Sequence, residues 1–128
     1  MTNSSKTPWP TKDAMQQVYA KKLWGSGDTD FYSGEGSHDT ETVQAYLKAV
    51  IGFFKSLETR PVVCDLGCGD FNVGKELVPY TQAYKAVDIV PELIAHNQKT
   101  FTSKQLTFDT IDLAKDPLPE GDCALLRQ

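Results

Sequence analysis

The stretch Val62-Val63-Cys64-Asp65-Leu66-Gly67-Cys68-Gly69-Asp70-Phe71-Asn72-Val73-Gly74 decides how the rest of this sequence is read. It opens as an apolar run between Pro61 and Gly67, the pattern of a short strand buried on both faces of a parallel sheet. It then breaks into a turn carrying two glycines two positions apart, with Asp65 before them and Asp70 after. Glycine-rich turns that follow buried strands commonly hold nucleotides, because bare backbone can approach a ligand closely.

Working outward, strand and helix patterns alternate. Downstream, residues 72–80 (NVGKELVPY) predict a helix and 84–90 (YKAVDIV) a second strand. Residues 91–101 predict a helix opened by Pro91, a favoured first position. Residues 106–113 (LTFDTIDL) read as a third strand, 114–121 as a loop and 122–128 (DCALLRQ) as a fourth strand. Upstream, Asp39 is a good N-cap for a helix over residues 40–57, with Glu41 in its electropositive first turn. Val43, Tyr46, Leu47, Val50 and Phe54 give that helix one apolar face. An earlier helix is expected over residues 12–24, where Met15, Val18, Tyr19 and Leu23 keep three–four spacing. Between the two helices, residues 25–38 (GSGDTDFYSGEGSH) interrupt regular structure with four glycines. The expectation is an α/β fold with right-handed crossovers. Residues 1–38 would form an N-terminal tail, helix and glycine-rich loop, and residues 39–128 the ligand-binding domain.

The turn does not suit a dinucleotide. A G-x-G-x-x-G turn needs its third glycine where Asn72 stands, and Gly74 comes two places late. Two carboxylates beside a pyrophosphate would also repel it at short range, whereas they would attract a cation. S-adenosylmethionine carries an ammonium and a sulfonium and no phosphate.

DLGCGDFNVG resembles the first motif of class I S-adenosylmethionine-dependent methyltransferases, an acid followed by Gly-x-Gly at the end of the first strand. The resemblance spans Val62 to Gln128, about half the chain. It implies that Gly67 and Gly69 let the backbone approach the cofactor, that Asp65 addresses its methionine portion, and that Cys68 and Asp70 line the turn. Asp88, in AVDIV, matches the acid that accepts both ribose hydroxyls, with Ile89 beside the adenine. Its place about 20 residues beyond the glycine turn also suits a ribose acceptor. Asp112, in FDTIDL, matches the acid that meets the adenine amine, with Leu113 offering its backbone; Asp112 reads equally well as a turn-former before AKDPLPEG. The family's sheet has strand order 3-2-1-4-5-7-6, so a Rossmann-like order 3-2-1-4 is expected here, with the C-terminal strands of a full methyltransferase lacking. The resemblance further suggests a lid made by the N-terminal helix and the glycine-rich loop, with Trp24, Tyr32 and Ser33 lining it.

The resulting expectation is a methyltransferase using S-adenosyl-L-methionine, with S-adenosyl-L-homocysteine as product and a small-molecule acceptor that the sequence does not identify. No catalytic residue is assigned, because displacement at a sulfonium needs chiefly alignment. The alternative is a non-catalytic S-adenosylmethionine-binding fragment or a partner-binding module. A nicotinamide oxidoreductase is disfavoured by Asn72 and the flanking acids.

The remaining features are bounds. A net charge of −4 and a pI near 5.1 argue against nucleic acid as the main partner. Three cysteines, Cys64, Cys68 and Cys123, in apolar surroundings read as reduced thiols. Their spacing with His38 and His96 is not that of a structural zinc site, so no metal is expected. His96 reads as an ordinary helix residue, and His38 either as part of the capping region or as a proton-handling group in a flap. The first 17 residues lack the apolar core of a signal peptide and no 18-residue apolar run exists, so no membrane and a cytoplasmic location are expected. In the order 3-2-1-4 the strand at 122–128 is an apolar edge, which predicts self-association through it.

Overall fold

A computed structural model of the chain describes residues 39–127, together with Gln16. The expected N-terminal helix, apart from Gln16, and the loop with Trp24, Tyr32, Ser33 and His38 lie outside the described residues. Helix α1 spans Thr40–Ser56 and is capped by Asp39, whose carboxylate accepts the backbone N–H of Thr42. Val43, Leu47 and Phe54 are buried, and Tyr46, Val50 and Ile51 pack beside them against the same core. The apolar face read from the sequence is therefore the one the fold uses.

Four strands follow: β1 (Val62–Leu66), β2 (Ala83–Asp88), β3 (Leu106–Thr110) and β4 (Cys123–Leu125). All pair in parallel, in the order β3-β2-β1-β4. The register sets Asp65 of β1 beside Ala86 of β2 and Leu125 of β4. Helix α2, Pro91–Thr100, connects β2 to β3 with Pro91 at its start. Asp122 fixes where β4 begins: its N–H donates to the Val62 carbonyl, and its Oδ2 accepts the Val62 N–H at 2.9 Å. Burying the apolar side chains of this sheet and α1 supplies the main driving force, about 1.5–3 kcal/mol for each large one.

Between β1 and β2 the sequence predicts a helix over residues 72–80, and the structure forms instead two single 3₁₀ turns, Gly74–Glu76 and Val78–Tyr80. Pro79 is the physical reason. It has no N–H to donate, and in an α-helix its ring would strike the carbonyl one turn back. Gly74 weakens the helix further. The fourth strand is also shorter than expected, three residues rather than seven.

Candidate cofactor site at the carboxyl ends of the strands

β1 runs directly into the turn, where Gly67 has φ +92° and Gly69 φ +57°. Such left-handed backbone strains any residue with a Cβ, so the two glycines are required by the path of the chain. The turn is not a free loop. Gly67 and Cys68 both donate their N–H to the Val87 carbonyl at the end of β2, at 3.0 and 2.9 Å. The Gly69 N–H donates to Asp88 Oδ2 at 3.0 Å, and its carbonyl accepts from Asn97 Nδ2 of α2 at 2.9 Å. Asp70 closes the next bend by accepting the Asn72 N–H at 3.0 Å.

Phe71 anchors the chain as it leaves the turn. It is a non-glycine residue at φ +65°, a conformation costing roughly 1–2 kcal/mol. Its side chain is fully buried and meets Tyr84, Phe101 and Phe108 edge-on, with ring centroids 5.6, 5.2 and 4.9 Å away. Burial of one aromatic ring with three such contacts outweighs the backbone cost. Gly74 is explained by the same packing: a Cβ there would lie 2.5 Å from the Phe71 ring and 3.0 Å from Asp65 Oδ2. The late glycine thus serves the core and the acid rather than a pyrophosphate.

The acids lie at the ends of three neighbouring strands. Asp65, on β1, is partly buried and accepts the Tyr84 hydroxyl at 2.7 Å. Burial pushes its carboxyl up to about 6; the Tyr84 hydrogen bond opposes this, the nearby Asp88 charge adds to it, and Arg127 lowers it. Asp88, at the end of β2, is buried and is engaged by three backbone N–H groups: Gly69 on Oδ2, and Ile89 and Val90 on Oδ1 at 2.8 and 3.3 Å. Burial raises its carboxyl above the usual range despite those three donors. Ile89 packs beside Val90 and Leu93. Asp112 follows β3 and closes a small turn, accepting the Ala114 N–H on Oδ1 at 2.9 Å while its own N–H donates to Asp116 Oδ2 at 2.8 Å. Leu113 beside it is exposed. The Ile111 N–H donates to the Asp88 carbonyl at 2.9 Å, joining the ends of β2 and β3.

Asp65, Gly67, Cys68, Gly69, Asp70, Asp88, Ile89, Asp112 and Leu113 therefore all stand at one end of the sheet, where open α/β folds bind ligands. Asn97, Tyr84 and Phe71, which hold the turn and its acid from behind, escape sequence reasoning. Asn97 and Tyr84 read as ordinary members of a helix and a strand, and their partners are set only by the tertiary register. Gln16 reaches this same end, donating to both carboxylate oxygens of Glu92 at the start of α2, at 3.2 Å each. All three cysteines are free thiols. No group of three His, Cys, Asp or Glu side chains among the described residues is placed to hold a metal ion. No helix among the described residues is long and apolar enough to cross a membrane.

No protein-family model and no curated protein matches this chain. Solved structures do. Magnesium protoporphyrin IX methyltransferase from Synechocystis PCC 6803, crystallised with bound SAH, superposes with a TM-score of 0.57 at 17% identity, over 84% of this chain and 54% of that one. The putative methyltransferase of Haloferax volcanii, in complex with the Trm112 methyltransferase activator, gives 0.53 at 18% identity, over 87% and 43%. A dimethyladenosine transferase from Plasmodium falciparum gives 0.52 at 23% identity, over 65% and 32%. The fold is the Rossmann-like fold of class I S-adenosylmethionine-dependent methyltransferases. The chain spans about a third to a half of the length of these structures.

Proposed function

We propose that this chain binds S-adenosyl-L-methionine, and its product S-adenosyl-L-homocysteine, at the carboxyl end of β1–β3, and that it forms the cofactor-binding part of a methyltransferase acting on a small molecule. The observation that carries the reading is the turn itself. It sets the exposed Gly67 and the buried Gly69 in the chain between Asp65 and Asp88, both of which are costly to keep charged where they lie. A bound ammonium offsets that cost, and a pyrophosphate would add to it.

In this reading Asp65 holds the α-ammonium, the Gly67–Gly69 backbone lies along the methionine portion, and Cys68 and Asp70 flank it. Asp88 accepts from the ribose. Because three backbone N–H groups already occupy it, the ribose meets the acceptor site that remains, or shares one with Gly69. Ile89 and Leu113 border the adenine, and Asp112 meets its amine with Oδ2, the oxygen its turn leaves without a hydrogen bond among the described residues.

When bound, S-adenosylmethionine supplies a methyl group on a sulfonium, which departs by in-line displacement as a neutral thioether. The chain's own residues contribute alignment, the larger part of what such a reaction needs, about 7–11 kcal/mol at best. No side chain is assigned as general base.

Calorimetric titration with S-adenosylmethionine, S-adenosylhomocysteine and NAD tests the reading. The two adenosyl ligands should bind more tightly than NAD; tighter binding of NAD overturns it. Turnover is a separate question, because the matched structures are about one and a half to two times as long. Binding without methyl transfer to any acceptor would favour a binding module.

A further inference from the structure

Tyr84 is fully buried in β2, with its ring edge-on to Phe71, yet it carries a hydroxyl that phenylalanine would spare the core. A buried phenol needs a partner, and this one has Asp65, its hydroxyl donating to Oδ2 at 2.7 Å. Gly74 also lies against that oxygen, and a Cβ there would stand 3.0 Å from it. Asp65 Oδ2 thus meets both a donor and a glycine. Oδ1 makes no hydrogen bond among the described residues, and Asp65 keeps part of its surface accessible.

We infer that Tyr84 is a positioning residue for the ligand's ammonium group: from inside the core it holds Asp65 by Oδ2 and leaves Oδ1 as the oxygen the ammonium meets. This rests on the cofactor reading above and adds a residue to it. The charge on Asp65 depends on the same bond. Its surroundings are Tyr84 and Asp88 of β2, Cys68 in the turn, Tyr46 of α1, and Arg127 after β4, whose guanidinium lies over the Tyr46 ring at 4.7 Å. Burial and the Asp88 charge favour the neutral acid; the Tyr84 hydroxyl and Arg127 favour the carboxylate. Removing the hydroxyl tips this balance towards the form that cannot hold a cation.

The test compares two probes on the wild type and on Tyr84→Phe: S-adenosyl-L-homocysteine, and 5′-methylthioadenosine, which shares the adenosine and thioether but has no ammonium. Both are titrated from pH 6 to pH 9. The variant should bind S-adenosylhomocysteine about two- to tenfold more weakly at pH 7, with the deficit shrinking towards pH 9 as Asp65 ionises. Its affinity for 5′-methylthioadenosine should stay within about twofold of wild type. Site-specific 3-fluorotyrosine at position 84, a stronger donor of the same shape, should move the pH midpoint the opposite way, and it serves if Tyr84→Phe does not fold. Equal loss of both probes, or an unmoved midpoint in either variant, overturns the role of Tyr84. A wild-type chain that binds neither probe overturns the cofactor reading and this one with it.

Discussion

Asn97 Nδ2 donates to the Gly69 carbonyl across 2.9 Å, and this is the only hydrogen bond of the Asn97 side chain among the described residues. Asn97 has no exposed surface, and its Oδ1 is buried without a partner. With Asp88 on the Gly69 N–H, one residue of the glycine turn is thus held through both of its peptide groups, by an acid from β2 and an amide from α2. The turn takes its shape from two elements that come after it in the chain.

Asn97→Ala should therefore cost about 1–3 kcal/mol of stability, the usual penalty for stranding a buried carbonyl. Asn97→Asp should cost more, because a carboxylate would face the Gly69 carbonyl with an acceptor in place of a donor. Urea unfolding of the three proteins checks the order. An aspartate variant as stable as the alanine one would mean that the contact is not a hydrogen bond.

From the sequence alone, Asp88→Asn is expected to weaken cofactor binding less than Asp88→Ala, since one carbonyl acceptor remains. The hydrogen bonds of Asp88 add a cost in stability. Both oxygens of Asp88 accept from backbone N–H groups, so an amide NH₂ must confront one set of donors whichever way it turns. Asp88→Asn should lose about 2–4 kcal/mol of stability, no less than Asp88→Ala, and cofactor affinity should fall with it. Thermal unfolding and calorimetry on both variants distinguish the outcomes; an asparagine variant of wild-type stability would contradict the three-donor arrangement.

Acidification should act in opposite directions on the free chain and on its complex. Asp65 is raised to about 6 and Asp88 is raised too, so the native state binds more protons than the unfolded one across that window. The stability of the ligand-free chain therefore falls as pH rises from the usual carboxylate range to about 6. Going from pH 7 to pH 5, Asp65 alone should add about 1 kcal/mol. Over the same change, protonating Asp65 should weaken binding of an ammonium ligand about tenfold. Urea midpoints and titrations at the two pH values measure both. A free chain that loses stability at pH 5 would show that Asp65 is not the dominant titrating group.

β4 forms one edge of the described sheet, and we propose that the 128-residue polypeptide self-associates through it. Leu125 packs against the core, so the outward residue to change is the exposed Ala124. Sedimentation at micromolar concentration should show dimers or larger species that Ala124→Lys reduces. A monomer in both proteins would mean that the edge is already covered.

The range of the forces involved decides how much of the fold and site could be read in advance. The strands and their alternation with helices were legible because burial imposes a period on the residues, and the acids were legible because each ends an apolar run. The α1 face was read residue by residue. Residues 72–80 misled because their apolar spacing suits a helix while Gly74 and Pro79 do not. Phe71 could not be foreseen in the left-handed region, since only its three aromatic neighbours, up to 37 residues further along the chain, make that conformation stable. The Tyr84–Asp65 and Asn97–Gly69 contacts depend on the register of separate elements, which local pattern does not encode.

A glycine-rich turn is ordinarily among the first parts of a protein to trade its amide hydrogens with water. This one gives the hydrogens of Gly67 and Cys68 to the Val87 carbonyl and that of Gly69 to Asp88. They can leave only when the turn parts from β2, so this turn should exchange at the pace of the central strands, well behind the exposed first turn of α1.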